Sequence, residues 1–283
     1  MTSSSVTAIH SRDNAFVKDL RRLAQDTTAY RKQGRVWLEG DHLCRAALAR
    51  GLRASVAVFS ESFWPQAQVE YARAATKFIV LADALFADVS GLESPAAMGF
   101  ILDLPAPASL RPDAATVVLD RVQDAGNVGS ILRSASAFGF RQVAAIKGSA
   151  ALWSPKVLRA GMGAHFALDL IEGLALDDLA ALQVPLLVTS SHAGDFLHRA
   201  ALPWPCAWVM GHEGQGVSPA LEDRASLRIR ISQPGGERSR ALTLSAPALV
   251  LWASKASLGL AGHRRWYQGY ARRALRRCQR RRV

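Results

Sequence analysis

Short apolar runs alternate along this chain with stretches whose apolar positions recur every three or four residues. The spans 36–38, 56–59 and 78–81 read as strands in the first third; 117–119, 142–146, 186–190, 207–210 and 227–231 read as strands in the rest. Between them lie helical spacings. Phe16, Val17, Leu20 and Leu23 share one face of a predicted helix over 15–23, with Lys18, Arg21 and Arg22 outward. A second helix spans 42–50 and stops at Gly51. A third runs from Gly129 through Ile131, Leu132, Ala135 and Phe138 to a stop at Gly139. Pro155 can start a fourth, and 242–258 has the spacing of a fifth. Strands alternating with helices predict an α/β protein.

The stretch 103–112 holds three prolines in ten residues and no apolar period, which marks a linker. It divides the chain into a first domain over 1–105, a linker over 106–113, a second domain over 114–262 and a basic tail over 263–283. The tail changes the electrostatic picture. Its last twenty residues carry nine arginines and no acid, so of the net charge of +12 only about +3 belongs to the body. A basic end implies a polyanion, most simply nucleic acid, unless it is only a solvated extension. No run of eighteen apolar residues predicts a membrane span, and the first residues carry no apolar secretory signal. Cys44, Cys206 and Cys278 are odd in number and far apart, which argues against a disulfide framework or a zinc site and fits a reducing cytoplasm.

Candidate chemistry gathers first at the end of the strand over 117–119. Asp120, Asp124, Asn127 and Arg133 collect at its carboxyl end, where α/β sheets place their ligands. Asn127 stands where a side-chain oxygen can cap the following helix, with Arg133 about one and a half turns further on. On spacing alone a helix cap with a surface arginine and a ligand site are equally good readings. Further on, three glycines in six residues follow a strand at Gly211, Gly214 and Gly216, a tight loop suited to close backbone approach. Lys156 and Arg159 lie one helical turn apart, as a phosphate clamp or as a solvated face. Gly161 and Gly163 do not make a dinucleotide fingerprint, because Phe166 occupies the third glycine's place.

Asn127, Gly129, Ile131 and Arg133 match N-x-G-x-(I/L)-x-R after a strand, which resembles the first motif of the SpoU (TrmH-type) RNA ribose 2′-O-methyltransferases. The run from Gly211 to Val217 is similar to the second motif, G-x-E-G-x-G-(I/L/V), with Glu213 as its acid. The loop from Ile231 to Ser239 and the residues after it resemble the third, although Ala241 stands where the family has asparagine and Thr243 where it has serine. Near Arg31, Lys32, Arg35, Glu39 and Gly40 the chain also resembles the substrate-binding domain found on many of these enzymes; His42 there reads as a residue at a helix start.

The resemblance implies a trefoil-knotted α/β methyltransferase domain behind a smaller α/β substrate-binding domain. It implies S-adenosyl-L-methionine as methyl donor and a ribose 2′-hydroxyl as acceptor, with no metal, in a homodimer. The implied catalytic set is Asn127, Arg133, Glu213 and Ser239. The implied cofactor contacts are Met210, Gly211, Glu213, Gly214, Gly216, Ile231, Gln233, Gly236, Leu242 and Thr243. Arg31, Lys32, Arg35, Lys156 and Arg159 are the expected RNA contacts, with ribosomal RNA favoured over transfer RNA because of the extra first domain. The alternative is an RNA-binding protein of the same fold that has lost turnover, motivated by Ala241 and the tail.

Overall fold

The computed structural model describes residues 5–190, 193–231, 250, 251, 253 and 254. Two sheets carry the fold. The first domain runs β1 (Ser5–Ile9), α1 (Ala15–Gln25), α2 (Ala29–Gln33), β2 (Arg35–Glu39), α3 (Asp41–Leu48), β3 (Val56–Ser60), α4 (Trp64–Glu70), β4 (Lys77–Leu81), α5 (Asp83–Val89) and β5 (Met98–Asp103). Its strands are ordered β1-β4-β3-β5-β2. β1, β4 and β3 are parallel, while β5 runs antiparallel to both β3 and β2.

The predicted strands and the α1 face are found here, with Val17, Leu20 and Leu23 buried. Arg21 departs from the outward reading: its guanidinium reaches Asp88 on α5. β1 and β5 are additions that the apolar spacing did not announce. β5 carries Gly99 in mid-strand, where a Cβ would come within 2.2 Å of the Trp37 indole. Glycine leaves room for that ring at the expense of the apolar pattern by which a strand is recognised.

The second domain runs β6 (Thr116–Asp120), α6 (Ala125–Phe138), β7 (Gln142–Ile146), α7 (Pro155–Gly161), β8 (Asp169–Leu174), β9 (Leu186–Thr189), β10 (Asp195–Phe196), β11 (Ala207–Gly211), α8 (Pro219–Asp223) and β12 (Leu227–Arg230). Its strands are ordered β10-β12-β9-β11-β6-β7-β8, and all six pairings are parallel. The central strands are buried along all but the last residue of β11, as near-continuous apolar runs with both faces covered require. Trp208 of β11 has no exposed surface, and its Nε1 donates to Ser254 Oγ at 2.7 Å. The residues implied to complete a knot lie outside the described part of the chain.

The linker's far end is tied down: Arg111 N–H donates to Gln142 Oε1 at 3.0 Å, and Gln142 Nε2 donates back to Arg111 O at 2.8 Å. The two domains also meet through one carboxylate. Glu172 of β8 accepts from the Tyr30 hydroxyl at 2.8 and 2.7 Å and from Leu152 N–H at 2.6 Å, with Arg31 Nη2 at 3.5 Å.

Candidate functional site

β6 and β11 lie side by side, with Gly211 level with Asp120. The chain leaves β6 toward β7 on one side, while β9 and β12 lie beyond β11 on the other. The carboxyl ends of β6 and β11 therefore flank the point where the strand order reverses, and open α/β sheets leave a crevice there.

Asp120, at the end of β6, is buried. Its carboxylate accepts from Ser218 N–H at 2.6 Å and from Arg121 Nε at 3.0 Å. Arg121 continues across the crevice, its Nη1 donating to Gln215 Oε1 at 3.0 Å. Its backbone is left-handed, with φ 58°, which costs a residue with a side chain on the order of 1 kcal/mol. The bonds to Asp120 and Gln215 hold it in that conformation. Nothing in the local sequence pointed to Arg121, because Gln215, which holds its far end, lies 94 residues downstream.

Helix α6 begins differently from the sequence expectation. The cap is Asp124, whose side chain accepts from Asn127 N–H at 2.7 Å. Asn127, 8% exposed, is freed for another task. Its Nδ2 donates to Glu213 Oε1 at 3.1 Å. Glu213 accepts two more hydrogen bonds, from Asp124 N–H at 3.0 Å and Gln123 N–H at 3.2 Å. One carboxylate from the loop after β11 thus gathers the loop after β6 and the first turn of α6. The helix ends as its pattern predicts, with Gly139 in the left-handed region at φ 81°.

Partial burial pushes the Glu213 carboxyl up, but the Asn127 amide and the surrounding backbone N–H groups outweigh it and the net pKa lies below the ordinary 4.5. Glu213 is an ionised acceptor at neutral pH, poorly suited to carry a proton and well suited to hold two loops in register.

The loop after β11 is closed by its own backbone. His212 N–H donates to Gly216 O at 2.9 Å and Gly216 N–H to His212 O at 2.8 Å. His212 Nδ1 accepts from Gly214 N–H at 3.0 Å and Gln215 N–H at 3.2 Å. A Cβ on Gly211 would lie 2.3 Å from both Gly216 C and Val217 N, so this glycine is required by loop closure. Gly214 differs: a Cβ there would meet only the His212 ring, at 3.7 Å. Gly214, Gln215 and Gly216 are exposed beside the buried Met210 and Val217. This exposed backbone at the switch point is accessible to a ligand.

Arg133 is exposed on α6 and has no hydrogen bond or ion pair among the described residues. Ile231 is partly exposed at the end of the described second domain. Gln233, Gly236, Ser239, Ala241, Leu242 and Thr243 lie outside the described residues. Of the expected RNA contacts, Lys32 and Lys156 are exposed. Arg35 pairs with Asp103 at 3.6 Å. Arg31 is committed to the domain junction, its Nε donating to the Tyr30 hydroxyl oxygen at 3.0 Å beside Glu172. Arg159 is partly buried, with Nη1 beside Gly91. Among the described residues no group of three or more His, Cys, Asp or Glu could hold a metal ion.

The fold and these loops define an α/β unit with a candidate ligand site at its switch point, preceded by a smaller α/β unit. Residues 114–249 match the SpoU rRNA Methylase family, and residues 14–99 match an MRM3-like substrate binding domain. Residues 114–249 thus form a SpoU rRNA methylase family domain. It is 28% identical over 247 residues to the 23S rRNA (guanosine(2553)-2′-O)-methyltransferase RlmP of Bacillus subtilis, covering 86% of this chain and 97% of that one. It is 29% identical over 254 residues to an uncharacterized tRNA/rRNA methyltransferase of Synechocystis, covering 82% and 87%. A crystal structure of an RNA 2′-O ribose methyltransferase superposes with TM-score 0.72 at 29% identity, covering 88% of this chain and 98% of that one.

Proposed function

We propose that this protein is an S-adenosylmethionine-dependent RNA ribose 2′-O-methyltransferase acting on ribosomal RNA, and that it works as a homodimer in the cytoplasm. The observation that carries the reading is the Glu213 tie. It couples the loop expected to hold the donor to the helix that presents Arg133. The family domain supports methyl transfer to RNA, and the name of the Bacillus relative favours ribosomal RNA and a ribose oxygen. The proposed domain boundaries are 1–105, 106–113, 114–262 and 263–283, with the first domain gripping substrate.

The donor, when bound, supplies an electrophilic methyl on a sulfonium that leaves as a neutral thioether. Transfer of that methyl to the ribose 2′-oxygen would release the thioether, with the hydroxyl proton passing to water. With a good leaving group already present, the protein's tasks are alignment and activation of the hydroxyl. Arg133 orients the phosphate beside the target ribose through its planar guanidinium, which lowers the cost of developing negative charge on the 2′-oxygen. Asn127 and Glu213 fix the helix from which it projects. Met210, Gly211, Gly214 and Gly216 form one wall for the donor. Ile231, Gln233, Gly236, Leu242 and Thr243 are assigned to the other, and Ser239 to the reacting centre.

The test is transfer of labelled methyl from S-adenosylmethionine to ribosomal RNA, with the product nucleotide identified as 2′-O-methylated. Arg133→Ala should lower the transfer rate at least a hundredfold while leaving the Kd for S-adenosylmethionine within about twofold, as expected when a group contacting only the acceptor is lost. A mutant that methylates at the wild-type rate would overturn the assignment of Arg133. A wild-type protein that binds RNA without methylating it would overturn the enzyme reading in favour of a binding protein.

A further inference from the structure

The first sheet is electrically polarised along its strands. Glu39, Asp41, Glu61 and Asp83 lie at the carboxyl ends of β2, β3 and β4 or directly after them. Arg50 and Arg53 precede β3, Arg73 precedes β4, and Lys77 opens it. The two connecting loops run side by side, because Ala54 bridges Ala75 and Ala54 N–H donates to Ala74 O at 2.9 Å. All four cations are exposed, and none of their side chains has a hydrogen bond or ion pair among the described residues.

The same end of the sheet carries Lys32 and Arg35. β2 starts there with Arg35 level with Asp103, and β5 ends there beside the start of β3. Asp103, the acid in this strand register, is opposite Arg35 at 3.6 Å, and Glu70 at the end of α4 is engaged by Arg45. α2 leads directly into β2 at this end, so the Tyr30–Glu172 junction joins the rim to the second domain.

Cations spaced along a rim and free of carboxylates match a phosphate backbone. A small neutral ligand would give no reason for them, and α/β ligand sites ordinarily lie at the opposite, carboxyl ends of the strands. We propose that Arg50, Arg53, Arg73 and Lys77 form a docking rim for the sugar–phosphate backbone of the RNA substrate. This deepens the proposed function and rests on it for the identity of the polyanion. The competing explanation is local: Arg50 and Arg73 follow the C-termini of α3 and α4, where cations complement the helix dipole. On that account the charges stabilise the helices and leave RNA affinity alone.

The experiment uses the full chain, protein-free ribosomal RNA as probe and labelled S-adenosylmethionine. The variant replaces Arg50, Arg53, Arg73 and Lys77 with Gln, and a comparison variant replaces Lys18 and Arg22 with Gln. Four lost phosphate contacts should lower the slope of log affinity against log salt concentration by about 3 and raise the RNA KM by at least about tenfold near physiological salt. kcat at saturating RNA and the KM for S-adenosylmethionine should stay within twofold of wild type, the urea midpoint should not fall, and the comparison variant should keep the wild-type slope. A slope altered by less than about 1, with methyl transfer intact, overturns the rim and leaves the enzyme reading standing. A fall in the urea midpoint with an unchanged slope overturns the rim in favour of the dipole account. A lowered slope in a chain that transfers no methyl supports the rim and overturns the enzyme reading instead.

Discussion

Replacing Glu213 with alanine removes three hydrogen bonds at once, but their losses are unequal. Gln123 and Asp124 are exposed, so water can take over at both N–H groups. Asn127 is 8% exposed, and its Nδ2 loses the Glu213 acceptor. A buried polar group left unpaired costs about 1–3 kcal/mol, which sets the expected loss of stability for Glu213→Ala. Urea unfolding followed by circular dichroism reads this as a lowered midpoint at unchanged m. Asn127→Ala removes only the donor and leaves Glu213, which keeps its two backbone N–H partners, so it should cost less, while the double mutant should fall short of the sum by about 0.5–1.5 kcal/mol, the mark of a direct contact. Acid adds an independent readout. The folded-state pKa of Glu213 lies below 4.5, so its stabilisation is present above the unfolded value and lost as pH falls through the folded one. Glu213→Gln should therefore flatten the stability profile below about pH 4.5 and leave its neutral limb parallel to wild type. Additive single mutants, together with an unchanged acid limb, would show that the tie is not made in solution and that Arg133's helix is positioned by other contacts.

Gly211→Ala puts a Cβ against backbone at 2.3 Å. With no flexible side chain to yield, the loop must open, and the KM for S-adenosylmethionine should rise by more than tenfold while the central sheet still folds; near-normal donor binding would refute the closure account. Tyr30→Phe deletes the hydroxyl that Glu172 accepts from and should cost about 1.5–3 kcal/mol, as for a hydrogen bond to a charged group. Limited proteolysis within 104–111 should quicken in that variant if the junction restrains the two domains, and an unchanged cleavage rate would argue that packing alone does so.

Much of the second domain was legible because local signals agreed. An apolar strand, a polar turn, helical spacing and a terminal glycine gave β6, the turn and α6 within a few residues. Proline at the first position likewise marked α7, which the structure caps with Ser154. The cap of α6 was misassigned because Asp124 and Asn127 both suit a helix start, and the choice between them is made by Glu213, 86 residues downstream of Asn127. Arg31 shows the same reach: its partner Glu172 lies far along the chain, so the ion pair could not be read from neighbouring residues. Arg121 is legible only in three dimensions, where its left-handed backbone and its two partners coincide. The charged rim escaped because Arg50 and Arg53 are separated in the chain from Arg73 and Lys77, and the pairing of two loops brings them together.

The edges of the sheets bear on how the chain behaves at high concentration. In the second sheet one edge, β10, is only two residues long. The other, β8, carries Asp169 and Glu172 and shifts register against β7. Short, charged or irregular edges resist the addition of strands from neighbouring molecules. In the first sheet β2 is guarded by Arg35 and Glu39, but β1 is uncharged and exposes Val6. β1 nevertheless covers β4, whose residues from Phe78 to Leu81 are all buried. A truncation that removes Ser5–Ile9 would turn that apolar strand into an open edge and create a site for intermolecular β-pairing. Residues ahead of the first helix thus guard this chain against aggregation.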